Sequence, residues 1–160
     1  MPEAKENMRK ETWIAPAVFV ADQALKASAK KIPEEGLTLI PGVLGLRTTR
    51  NTGMAFSLFS GHPWLLGLLG LAMLGSAILF LRKKEIPRLP FIGLMLMAGG
   101  AAGNITDRLI HGYVTDMIEL LFIRFAVFNL ADAALTVGCG LTMLYLLWIG
   151  DQTSKGNSSK

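Results

Sequence analysis

The sequence predicts an all-α membrane protein with four transmembrane helices and a small extracytoplasmic β-sheet between helices 1 and 2. Three observations lead there. Hydrophobic residues make up 51% of the 160-residue chain and its mean hydropathy is positive, beyond the balance usual in soluble domains. Residues 62–81 and 89–106 carry no formal charge, and 125–150 carry only Asp132, against about 20 apolar residues needed to cross a hydrocarbon core. Residues 30–61 instead hold short strand-like runs broken by Pro41-Gly42 and Asn51-Thr52-Gly53.

The first span covers about residues 13–29. Its charged start and its Ala27-Ser28-Ala29 resemble a secretory signal with a cleavage site. However, Asp22 and Lys26 would lie between the apolar core and the cut. Four residues apart on a helix, they face the same way and can pair, so the segment is expected to stay as a span. The sheet follows, with Leu37–Ile40 and Gly45–Thr49 as its strands. The second and third spans are expected at about 62–81 and 89–107. Residues 117–124, MIELLFIR, are too short to span and are expected along the interface. The fourth span covers about 125–149. Residues 1–150 then form one integral-membrane domain, and 151–160 a polar cytoplasmic tail without structure.

Orientation follows the lysines and arginines of short loops. RKKEIPR, residues 82–88, places four in seven positions, so this loop and both termini are expected in the cytoplasm. Trp13, Trp64 and Trp148 stand near span ends, as interfacial anchors do. The net charge of +4 lies in clusters at segment ends, which excludes a nucleic-acid stripe. The single cysteine, Cys139, sits in an apolar run and is expected to be a packed small residue. His62 and His111 lack metal-ligand companions, so no metal and no cofactor is expected.

Threading four helices back and forth gathers the polar residues on one side, opposite RKKEIPR. Asp22 and Lys26 end the first span. Asn104, Asp107 and Arg108 end the third, Asp116 follows in a hairpin, and Asn129 and Asp132 begin the fourth. Asp22 and Asp132 would each lie about 10 Å inside their helix ends at 1.5 Å per residue. Gly99 and Gly103 form a small-xxx-small pair for close helix packing. A charge in hydrocarbon costs several kcal/mol, so each carboxylate must be paired, protonated or employed. Asp22 has Lys26 and Asp107 has Arg108, whereas Asp116 and Asp132 have no obvious cation. Like charges a few ångströms apart do not both ionise, so this pair can hold a water, deprotonate it with one member and donate from the other. A small proton-coupled membrane transporter is the alternative, since intramembrane carboxylates also mark ion pathways.

At these residues the sequence resembles lipoprotein signal peptidase, the bacterial signal peptidase II family. The resemblance rests on ADQALK at 21–26, RNTGMAFSLF at 50–59, GGAAGNITDRLIHGYVTDMIE at 99–119 and FNLADAAL at 128–135. It implies a membrane aspartic endopeptidase that cleaves prolipoproteins just before a cysteine carrying diacylglycerol. It puts the catalytic pair on Asp116 and Asp132. Supporting polar residues fall on Asp22, Lys26, Asn51, Gly53, Asn104, Asp107, Arg108 and Asn129. It further implies a monomer in the bacterial inner membrane, in contact with lipid and inhibited by globomycin. Met117 departs from the family pattern, in which an aromatic often follows the catalytic aspartate.

Overall fold

The computed structural model describes residues 10–53, 61–81 and 85–157, with only the backbone described at residues 80 and 149–157. Much of the basic loop, Arg82 to Lys84, lies outside the described residues, as do residues 54–60 of the RNTGMAFSLF motif and the outer ends of both tails. A short 3-10 turn, Lys10–Trp13, leads into α1, Ile14–Ala29. Then come β1, Leu37–Ile40; β2, Leu44–Asn51; α2, Pro63–Leu81; α3, Arg88–His111; β3, Val114–Leu120; and α4, Leu130–Asn157. Helix α3 is central and packs against α1, α2 and α4, while α1 also touches α4.

Small residues bring these helices together. An ideal Cβ on Gly100 would stand 2.5 Å from the Ala131 carbonyl oxygen of α4, and one on Gly99 2.5 Å from that of Ala15 in α1. Gly103 faces the Asp22 carboxylate, also at 2.5 Å from such a Cβ. On the far side, Gly67 and Gly70 of α2 receive Leu109 and Ile105 of α3. Outward, α2 and α4 expose Leu68, Leu71, Met73, Leu144 and Leu147. An apolar outer surface of this kind calls for lipid or a partner. Helix α3 and the Leu130–Trp148 part of α4 are long and apolar enough to cross a membrane; the apolar stretch of α2, Pro63–Leu79, is shorter.

The sheet differs from its expected form. It has three antiparallel strands in the order β1-β2-β3, and the third comes from between α3 and α4, not from between the first two helices. Residues 117–120, expected along the interface, are paired with β2 instead. The strand was hidden because Val114, Asp116 and Met117 are all buried, so VTDMIEL shows no alternation of polar and apolar. Gly112 makes the connection: its φ of +74° ends α3 in the left-handed region, which glycine adopts without a Cβ clash.

Beyond the strand, Phe128 exchanges backbone hydrogen bonds with Ile118 at 2.8 and 3.0 Å. That bridge holds the chain extended, so α4 starts at Leu130 and not near 125. Asp132 therefore lies in the first turn of α4, not about 10 Å inside it. At its other end α4 runs on to Asn157, through residues expected to be an unstructured tail. Cys139, expected to be packed, is exposed on α4.

The α3–α4 contact gives a stability prediction. Gly100→Val would drive a branched side chain into backbone that cannot move aside, at an expected cost of about 3 kcal/mol, the upper end of overpacking. Gly75→Ala, with nothing within 4 Å of its Cβ, should be neutral or slightly stabilising. Thermal unfolding in detergent, comparing both variants with the parent, checks the contrast.

Candidate active site

Helix α1 places Asp22, Gln23 and Lys26 against the C-terminal half of α3, where Asp22 meets Gly103. The Lys26 ammonium is buried and lies 2.7 Å from Asp22 Oδ2, 3.1 Å from Asp107 Oδ2 and 2.9 Å from Asn104 Oδ1. Three N–H donors thus meet three oxygens on two helices, which satisfies the lysine. Asp22 has a second task. Its Oδ1 accepts the Ala131 N–H at 2.9 Å, one of the N–H groups that the first turn of a helix leaves without an internal partner.

Asn129 sits immediately before α4 and is fully buried. Its Oδ1 accepts the Asp132 N–H at 2.9 Å, and Asp132 Oδ2 accepts the Asn129 N–H at 3.2 Å. This is the reciprocal arrangement of a capping box. The Asn129 amide then reaches across to Asp116 Oδ1 at 2.7 Å and Asn104 Oδ1 at 3.2 Å. Asn104 in turn donates to Asp132 Oδ1 at 2.8 Å. Asn129 therefore bonds both Asp116 and Asp132, one through its amide and the other through its backbone N–H.

Asp116 is held from β2 as well. Register places Thr49 opposite it, and the Asn51 amide donates to Asp116 Oδ2 at 3.1 Å. Asn51 Oδ1 accepts the Gly53 N–H at 3.0 Å, and Arg108 Nη2 donates to the Gly53 carbonyl at 3.0 Å. The structure thus brings together all ten residues singled out in the sequence. Burial, reinforced by the nearby Asp132 carboxylate, pushes the Asp116 carboxyl up from the usual 3.8 to about 6. The Asn51 and Asn129 hydrogen bonds and the Lys26 charge pull the other way without cancelling it.

Two details differ from the expected pairing. Asp107 turns towards α1: besides Lys26, it accepts from Gln23 Nε2 at 3.1 Å and from the Thr115 N–H at 3.3 Å. Arg108 is directed to Gly53 instead, and its buried Nε has no hydrogen-bond partner among the described residues. Sequence reasoning missed Gln23, whose amide also lies 3.3 Å from Asp22 Oδ2. The available signal was its place beside Asp22 as a further polar residue in an otherwise apolar helix. No group of three or more potential metal ligands occurs among the described residues.

Removing the shared cation should be severe. Lys26→Met leaves the buried Asp22 and Asp107 carboxylates facing each other without compensation, and breaking a buried ion pair in this way costs about 3–5 kcal/mol. A steep fall in the folded yield or unfolding midpoint is expected. Lys26→Arg should lose less, since it keeps the charge.

Comparison with known proteins places this geometry. Residues 14–148 match the family model described as signal peptidase (SPase) II. The lipoprotein signal peptidase of Lactobacillus johnsonii is 41% identical over 139 residues, 84% of this chain and 90% of that protein. That of Geobacillus kaustophilus is 35% identical over 150 residues, 91% of this chain and 97% of that one. A solved bacterial membrane enzyme, 29% identical, superposes with a TM-score of 0.79 over 86% of this chain and 87% of its own. With a polar cluster at one end of an apolar helical bundle and a family match along nearly all of that bundle, the chain belongs to the signal peptidase II family of membrane peptidases.

Proposed function

We propose that this protein is an aspartic endopeptidase that removes the signal peptide from prolipoproteins, cutting just before a cysteine that carries diacylglycerol. The observation that carries the mechanism is the joining of Asp116 and Asp132 through the single residue Asn129. The substrate class comes from the relatives, which are named for it.

The two aspartates divide the work by environment. Asp132 accepts hydrogen bonds from Asn104 and Asn129 and lies in the first turn of α4, where the helix dipole favours negative charge. It acts as the base and takes a proton from the attacking water. Asp116, pushed up to about 6, holds the shared proton and gives it to the scissile carbonyl oxygen as the water oxygen bonds to the carbonyl carbon. The carbon–nitrogen bond then breaks as Asp132 passes its proton to the leaving amine. Asp116 recovers its proton from the hydrated carbonyl, which restores the pair. Arg108 serves the site through its Nη2, which holds the Gly53 carbonyl. Asn51 and Gly53 brace the strand side, and Asp22, Lys26 and Asp107 set the relative position of the helices.

The proposed setting is the bacterial inner membrane, crossed four times, with both termini in the cytoplasm and the dyad near the extracytoplasmic face. An apolar cavity of about 450 Å³ runs between α2, α3 and α4, from Gly70, Ala101 and Leu135 at one end to Leu81, Ile86 and Phe91 at the other. Ala101 is one turn from Asn104, so the apolar part of a lipidated substrate could lie there while its scissile bond meets the dyad. One chain holds the whole site, so a monomer should be active without a cofactor, and globomycin should compete with substrate.

Cleavage of a lipidated prolipoprotein by purified protein tests the mechanism. Asp116→Asn and Asp132→Asn are each expected to lower kcat on the order of a thousandfold or more; near-normal turnover in either would refute it. The pH profile gives a second test. Because Asp116 must hold a proton, kcat/KM should decline above about pH 6 as the free enzyme loses it. The sign for stability is related. The folded chain holds this proton more tightly than the unfolded one, so stability should fall as pH rises from about 3.8 to about 6. Asp116→Asn should flatten that slope.

A further inference from the structure

Behind the strand that carries Asp116 lies a second pocket of about 380 Å³, lined by Lys30, Glu34, Thr48, Arg50, Tyr113 and Thr115 among others. Successive side chains of a strand point to opposite faces, and the register fixes which faces these are. Thr49 pairs with Asp116 and Asn51 with Val114, whereas Arg50 pairs with Thr115. Arg50 and Thr115 therefore point away from the dyad, and the pocket is separate from the site where the scissile peptide would lie.

Its walls are partly fixed. The Arg50 guanidinium lies 5.0 Å from the centroid of the Tyr113 ring, a cation–π contact that holds its planar fork against one wall. Thr48 Oγ1 donates to the Ala29 carbonyl at 2.8 Å, tying β2 to the end of α1. Lys30 is the next residue, the C-cap of α1. Neither Arg50 nor Lys30 forms an ion pair among the described residues, and nor does Glu34. Two cations against one carboxylate leave a single positive charge in the pocket.

We propose that this pocket binds the phosphodiester headgroup of a membrane glycerophospholipid, with Arg50 and Lys30 on the phosphate oxygens and Glu34 towards the hydroxyl or ammonium end. The proposal rests on the membrane placement given above, in which the end of α1 meets the headgroup layer. Basic pockets at that depth suit lipid phosphates, and the guanidinium fork matches their oxygens. The single net charge fits a monoanionic diester better than a dianionic phosphate monoester. Occupancy would also brace the catalytic strand. Thr115 lines the pocket, its N–H donates to Asp107, and the next residue is Asp116.

Native mass spectrometry of the detergent-purified protein with added lipids tests this without any substrate, so its failure and failure of the peptidase mechanism remain distinguishable. The wild type should retain one phosphatidylglycerol or phosphatidylethanolamine at least tenfold more than the double variant Lys30→Gln, Arg50→Gln does. Diacylglycerol, which lacks the phosphate, should be retained equally by the wild type and the double variant, since any hold on it comes from the apolar cavity. Glu34→Gln should increase retention of phosphatidic acid, a gain that misfolding would not produce. Equal retention of phospholipid by wild type and double variant, or a loss of diacylglycerol in the double variant as large as that of phospholipid, would overturn the proposal. Displacement of the lipid by millimolar inorganic phosphate would overturn the lipid as the ligand. The placement has its own test: in a Cys139→Ala background, Thr38→Cys should react with a membrane-impermeant thiol reagent added to intact cells whose outer barrier is removed.

Discussion

The Lys26 ammonium is the contact on which the rest of the structure depends. It joins a carboxylate of its own helix to a carboxylate and an amide of α3, and that same Asp22 carboxylate packs on Gly103, where the helices approach closely. A buried cation with fewer acceptors would be a liability. With three, it fixes both the rotation and the depth of α1 against α3. Asn104 then holds Asp132, and Asp107 holds Thr115 beside Asp116. Both catalytic candidates are thus tied to the same ammonium, Asp132 through Asn104 alone and Asp116 through Asp107 and Thr115.

The start of α4 unites structure and chemistry in the same atoms. The first turn of a helix leaves N–H groups that need acceptors, and here Asp22, Asn129 and Asp132 supply them. Asp132 is at once a helix cap and the proposed base. Its position is therefore set by the backbone of α4 and not by a flexible side-chain contact alone. That is the precision an acid–base pair requires, since small displacements lower rates sharply.

Much of this was legible in the sequence. Uncharged runs marked the apolar helices, the polar residues interrupting them marked the site, and spacing put Asn104 and Asp107 on one face of α3. Hydropathy did not reveal β3. Its apolar residues are buried on both faces because helices cover one side and the chain before α4 crosses close by, so it lacks the alternation that identifies a strand. Nor did it show that Asp107 faces Lys26 and Gln23 while Arg108 reaches Gly53. Partner choice between neighbours on one helix depends on which helices lie alongside, and no single segment encodes that. The start of α4 was misplaced for a similar reason: the Phe128–Ile118 bridge is a contact between distant segments.

The bond from Asp22 to the Ala131 N–H spans 109 residues, and chain order gives it a meaning for biogenesis. Helix α1 leaves the ribosome first, carrying two charges, and Asp22 and Lys26 can neutralise each other at once because they lie one turn apart. Asn104 and Asp107 arrive with α3. Only when the first turn of α4 is made does Asp22 find its last partner, and the same turn delivers Asp132. Assembly therefore proceeds from α1 outward, and the proposed pair of Asp116 and Asp132 exists only once synthesis of the last helix has begun, so on that proposal a nascent chain cannot cut anything before its own insertion is almost finished.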